Sequence, residues 1–204
     1  MPVDLKQVLD PTHTALLVME CQEGIVGEAG FGALGEAVKQ QGTIDQIKRV
    51  IDAARAVSVP IFYLTVARRA DSGGGIANCL ILALGRKGEP LLPGSTRQAV
   101  VGALAPHEND YVLTRFHGLT PFHGTELDQL LRNLGVRTVV ATGVSVNVGV
   151  LGMTIEAVNC GYQVVVPRQA VAGTPEAYVD AVMTHTMRFL ATVVSVDDLV
   201  STWQ

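Results

Sequence analysis

The segment RTVVATGVSVNVGVLGMTIEAVNC at residues 137–160 decides the fold. Its β-branched run at 138–142, set between Gly135 and Gly143, reads as a buried strand. Gly143, Val144 and Ser145 then lead into a stretch with apolar residues at Val146, Val150, Met153, Ile155, Ala157 and Val158. That stretch reads as a helix ending near Cys160, with Gly161 as its C-terminal stop. A strand that turns tightly into a helix leaves backbone N–H groups at its crevice, where a carboxylate or a developing oxyanion can accept. Every parallel strand–helix–strand unit has such a turn, so this one is a candidate site among several.

Outward from that unit, strand and helix alternate. Residues 14–19 (TALLVM) form a continuous apolar run and read as a buried first strand. Residues 43–57 read as an amphipathic helix, with Ile44, Ile47, Val50, Ile51 and Ala54 on one face and Thr43 with Gln46 resembling a capping box. Further strands are expected at 60–66, 110–114, 163–166 and 191–195. Helices are expected from Thr125 to Leu134 and from Thr174-Pro175 to about Phe189, the second opening on a proline at its first position. This pattern predicts a three-layer α/β/α domain with a central parallel sheet, spanning residues 1–204 as one unit. Residues 67–109 break the alternation and are expected to form a lid or interface insertion, with a short helix at 76–84 and a mobile Asp71–Gly75 turn.

Composition excludes several function classes. The 204 residues carry 15 Lys and Arg against 19 Asp and Glu, a net charge of −4, so no basic surface for nucleic acid is expected. No apolar run reaches bilayer-spanning length, and the N-terminal MPVDLKQVLD lacks the pattern of a signal peptide. Cys21, Cys79 and Cys160 are odd in number and lack metal-type spacing, which fits reduced thiols in a cytoplasmic protein. In an open α/β sheet, ligands sit beyond the carboxyl ends of the strands. Glu20, residues 66–69, Arg115 and residues 143–145 are expected to converge there.

The blocks ALLVMECQ at 15–22, LLPG at 91–94, FHGTELDQLLRNLGVRTVVATGVSVNVGV at 122–150 and GYQVVVPRQAVAG at 161–173 resemble the isochorismatase-like hydrolases, also called the cysteine hydrolase superfamily. The resemblance runs from about Thr14 to Leu199. It implies a parallel sheet flanked by helices, a small-molecule substrate and assembly into homodimers or homotetramers. The family's amidases use an aspartate after the first strand, a lysine after the third and a cysteine at the start of the central helix. The matching positions here hold Glu20, Arg115 and Gly149. Gln22 matches a residue that recurs after the acid, and Val144-Ser145 matches a non-proline cis peptide whose amide helps form an anion pocket. The resemblance therefore casts Glu20 and Arg115 as catalytic candidates, and Gln22, Val144, Ser145 and Gly149 as substrate- or oxyanion-binding candidates.

Without a sulfur at residue 149 there is no thioester intermediate of the usual kind. True isochorismatases have a similar glycine-containing stretch and cleave a vinyl ether without a nucleophile, which leaves Glu20 as the acid. Arginine at 115 keeps the positive charge but does not relay protons near neutral pH. Each candidate also has a plainer reading: Glu20 as a solvated strand end, Arg115 as a surface arginine, Gln22 as a turn cap. Cys21 is expected in the core. His117 and His123 flank the third-strand loop and are candidates for ligands or bases, or are simply solvated. The family's metal-binding nicotinamidases carry an aspartate and histidines after the second strand. Here VARRADSGGG has no histidine, so no zinc and no other cofactor is expected. Arg68 and Arg69 in that stretch either meet an anionic substrate or face solvent. Two readings follow: a hydrolase for a small anionic vinyl-ether or amide-type substrate, or a pseudoenzyme that keeps the fold as a binding or oligomeric scaffold.

Overall fold

The computed structural model describes residues 3–28, 30 and 32–204. Its elements run α1 (Leu5–Val8), β1 (Thr14–Met19), α2 (Gly32–Gln40), α3 (Thr43–Ala56), β2 (Ile61–Val66), α4 (Leu80–Lys87), β3 (Tyr111–Arg115) and α5 (Leu127–Asn133). They continue with β4 (Thr138–Val144), α6 (Gly149–Asn159), β5 (Gln163–Pro167), β6 (Val171–Ala172), α7 (Glu176–Val182), α8 (Arg188–Leu190), β7 (Thr192–Val194) and α9 (Val196–Thr202). The strands form one parallel sheet in the order β3-β2-β1-β4-β5-β7, and β6 adds to the end of β4.

The period-2 alternation of the strands divides the core into two. Leu16, Val18, Ile61, Tyr63 and Val140 point to one face, where they pack with Ile47, Val50 and Ile51 of α3 and Leu199 of α9. Leu17, Met19, Phe62, Leu64, Val139 and Ala141 point to the other, against Leu127 and Leu131 of α5 and Val150, Met153 and Ala157 of α6. Both faces of β1 and β4 are covered, which is why these strands read as unbroken apolar runs. The expected three-layer α/β/α architecture is therefore what forms.

Local signals were followed unevenly. Gly161 has φ +91°, and the N–H of Tyr162 bonds the Ala157 carbonyl at 3.0 Å, so α6 stops where a left-handed residue fits. The capping box expected at Thr43 and Gln46 does not form. Gly42, at φ +61°, caps α3 without a side-chain bond, and Gln46 accepts from Arg49 instead. The α5 helix starts at Leu127 because Thr125 Oγ1 accepts the Leu127 N–H, closing a turn just ahead of it. The Thr174–Pro175 bond is cis, and the α7 helix begins at Glu176 with Pro175 as its cap. It continues through a π turn at Met183–Met187 into α8. The helix of the insertion, α4, lies a few residues later than expected, and no residue in it is buried.

Strand ends are aligned by close backbone contact. Met19 pairs with Gly143, and Gly143 has φ +100°. A Cβ there would sit 2.1 Å from the Met19 carbonyl oxygen. Gly143→Ala is expected to destabilise the fold by about 4 kcal/mol or more, the range of the severest single substitutions, as read by urea unfolding.

Candidate active site

The carboxyl ends of β1, β2, β3 and β4 finish side by side because the register pairs Met19 with Leu64 and Gly143, and Val66 with Arg115. Gln22 locks this edge. Its amide nitrogen donates to the carbonyls of Val66 (2.9 Å) and Gln98 (2.8 Å), and its amide oxygen accepts the Val66 N–H at 2.8 Å. All its strong bonding capacity is used on backbone. The expected substrate-binding role for Gln22 is therefore corrected: the residue is fully buried, does not line the cavity, and staples β1 to β2 and to the insertion.

Glu20 follows β1 with a left-handed backbone, φ +51°. That conformation is unusual for a residue with a Cβ and costs on the order of 1 kcal/mol. Its effect is to reverse the strand's alternation. Along β1 the even residues face α3 and the odd ones face α6, yet Cys21 joins the α3-side core. Glu20 is thereby turned toward the start of α6 and into the cavity, while Cys21 is sealed away behind it. Burial, with the Glu20 charge added, pushes the Cys21 thiol up to about 12, so it is no nucleophile near neutral pH.

Arg115 ends β3 and is 94% buried, given its 6% exposure. Its Nη2 donates to Glu20 Oε1 in an ion pair, its Nε reaches the Gly118 carbonyl at 3.5 Å, and its Nη1 is buried with no partner. A buried guanidinium nitrogen without an acceptor marks a place where a ligand oxygen would be stabilised. Glu20 and Arg115 line one cavity of about 240 Å³ together with Ser145, Val148 and Gly149. Gly149 opens α6, so the positive end of an eleven-residue helix forms part of the same wall. A Cβ on Gly149 would lie 3.0 Å from Met19 Cε and 3.2 Å from the Val144 carbonyl oxygen. The Val144–Ser145 bond is cis.

Of the sequence-chosen residues, Glu20, Arg115, Ser145 and Gly149 come together. Val144 does not line the cavity: its side chain is buried in the α3-side core. His117 is exposed and stands at the cavity rim, whereas His123 is exposed and away from it. Arg69 turns to solvent and pairs with Asp71 at 2.7 Å. Arg68 reaches α4, donating to the carbonyls of Gly85 (2.5 Å) and Gly88 (3.0 Å). No spacing in the sequence links Arg68 to residues 85 and 88. Among the described residues no group of three or more His, Cys, Asp or Glu side chains could hold a metal ion. Nor is any described helix long and apolar enough to cross a membrane.

Charged groups gathered at the carboxyl edge of a parallel sheet, beside a helix start, are the arrangement by which open α/β enzymes bind small molecules. Comparison with known proteins makes the class specific. Residues 14–198 match the isochorismatase domain model, and the chain belongs to the isochorismatase family of hydrolases. It is 29% identical over 218 residues to the ureidoacrylate amidohydrolase RutB of Rhizobium rhizogenes, covering 98% of this chain and 86% of that protein. Among solved structures it resembles an N-carbamoylsarcosine amidase from Thermoplasma acidophilum, with a TM-score of 0.73, 26% identity and coverage of 91% and 97%. An isochorismatase family protein from Desulfovibrio vulgaris shares the fold at a TM-score of 0.80 and 24% identity, with coverage of 92% and 98%.

Two outcomes test this geometry. Glu20→Ala strands a buried guanidinium and is expected to lose about 3 kcal/mol of stability in urea unfolding, with Glu20→Gln losing less because it keeps an acceptor. Alkali should destabilise the protein. The unfolded Cys21 thiol ionises near 9.0, while the folded one holds its proton to about 12. Burial likewise pushes the Tyr63 phenol from 10.0 up to about 12. Above pH 9 the unfolded state thus binds fewer protons than the folded one, so stability falls as pH rises through this window. Urea midpoints measured from pH 8 to 11 check it.

Proposed function

We propose that the protein hydrolyses a small anionic substrate at an amide-type carbonyl of the ureido or N-carbamoyl kind, with water as the nucleophile. The observation that carries this reading is the shared cavity, where Glu20, Arg115 and the start of α6 face one space. Two of the similar proteins bear names that pair a carboxylic acid with a ureido or carbamoyl group. With glycine at position 149 there is no sulfur to form an acyl-enzyme. The reaction then runs in a single addition and elimination. Glu20 takes a proton from water as its oxygen bonds to the carbonyl carbon. The N–H groups at the start of α6 hold the oxyanion, and Arg115 clamps the carboxylate of the substrate. The carbon–nitrogen bond breaks, and Glu20 returns the proton to the departing nitrogen. A vinyl ether is the second substrate class for the same site, with Glu20 as the acid that protonates carbon.

One observation favours a different reading. Glu20 is already paired with Arg115, an arrangement that can hold an anion without turning it over, as in a binding scaffold. A hydrolysis screen over N-carbamoyl acids, nicotinamide, isochorismate and simple esters separates the two. Turnover is expected with N-carbamoyl acids, unaffected by iodoacetamide and reduced at least about a hundredfold in kcat by Glu20→Gln. No turnover of any substrate, with a thermal shift produced by an anion, would establish the scaffold instead.

A further inference from the structure

We infer that the ligand of this cavity is an amphipathic anion, with a carboxylate-like head at Arg115 and an apolar tail running under the lid. The head rests on the reading of Arg115 given above, and the tail rests on the cavity walls. Away from Glu20 and Arg115 the lining is dominated by Val66, Ile76, Ile81, Leu82, Phe116 and Val148. Three of these, Ile76, Ile81 and Phe116, are exposed large hydrophobics, 64%, 49% and 47% accessible. Apolar side chains that border a cavity and leave about half their surface in water gain by covering an apolar ligand.

The cations of the outer cavity fasten the insertion through backbone carbonyls. Arg68 spends both terminal nitrogens on the Gly85 and Gly88 carbonyls. Arg86 donates from Nη2 to the Gly75 carbonyl at 2.5 Å. Glu89 lies 3.5 Å from Arg97 and points largely to solvent, and His117 stands exposed at the rim. At the inner end Arg115 Nη1 is buried without a partner. The cavity, at about 240 Å³, holds about eight water-sized groups at roughly 30 Å³ each. That is room for a short alkyl chain or a phenyl ring beyond the head.

The experiment titrates the full chain by calorimetry with straight-chain carboxylates from acetate to decanoate, with adipate, and with hexanamide. Affinity is expected to rise about three- to fourfold per methylene and to level off near eight carbons. Hexanoate should bind more tightly than adipate. Ile81→Asn, on the exposed lid surface, should flatten the chain-length dependence while leaving acetate unchanged. Equal binding across the series, or adipate tighter than hexanoate, overturns the amphipathic assignment. Chain-length dependence with hexanamide equal to hexanoate supports the tail but overturns Arg115 as anchor, and with it the head reading of the proposed function. Arg115→Lys, which keeps the charge, should retain the preference for hexanoate over hexanamide. Absence of binding throughout the series overturns both.

Discussion

The site depends on how closely β1 lies against β4. Both strands are covered on both faces, so their relative height is set by two packed layers at once. At the last pair the backbones approach until even a methyl group at Gly143 would meet the Met19 carbonyl. Such a contact tolerates no slip, because a parallel register shifted by one residue would turn every core side chain to the wrong face. The carboxyl ends of the strands are therefore fixed to one another before any catalytic group is considered. Gln22 extends the same constraint sideways, since its three backbone bonds hold the exit of β1 against β2 and the segment at Gln98. The result is a rigid rim of polar backbone on which two charges can be held.

Those charges are expensive to bury, and the structure handles them unequally. Arg115 is almost wholly withdrawn from water, whereas the Glu20 side chain keeps partial access. Breaking such a pair by removing one member is much worse than never having had it. Its retention in a mostly apolar cavity is thus more readily explained by ligand handling than by stability. The left-handed backbone at Glu20 adds to this argument. It is a local cost that the parallel sheet does not require, and such costs concentrate where a side chain must be aimed. The same turn hides Cys21, so the thiol next to Glu20 in sequence is chemically silent while the neighbouring carboxyl is presented.

What was legible in the sequence follows from which forces are local. The buried strands β1 and β4 announced themselves because burial on both faces demands continuous apolar runs. The end of α6 was readable because Gly161 fits a left-handed position that other residues resist. Glu20, Arg115, Ser145 and Gly149 were found through strand ends and family resemblance, and the sheet topology brings them together. By contrast, α2 lies in a glycine-rich stretch that includes Gly30, Gly32 and Gly35, and α9 is a single short segment; neither was anticipated. The Thr43 capping box failed because Gly42 already supplies a left-handed cap, leaving the side chain no role. Gln22 was misread because its partners are more than forty residues away. A side chain that bonds distant backbone leaves no periodic trace.

The lid shows the same limit from the opposite side. Its helix α4 buries no residue and is fastened near its C-terminal end by arginine-to-carbonyl bonds, from Arg68 to Gly85 and Gly88 and from Arg86 to Gly75. Elements held by a few polar bonds, without buried apolar contact, sit at the low end of local stability and open before the core does. The Arg86 bond is exposed and exchanges readily with water, so opening the lid sacrifices little beyond the two part-buried Arg68 bonds. Closing it over an apolar ligand would give α4 the contacts it lacks. An insertion that looked, by composition alone, like a break in the α/β pattern is thus the segment with the most to gain from a bound ligand. The rigid strand ends define where the charged head is held, and the loosely fixed lid defines how much of the remainder is enclosed.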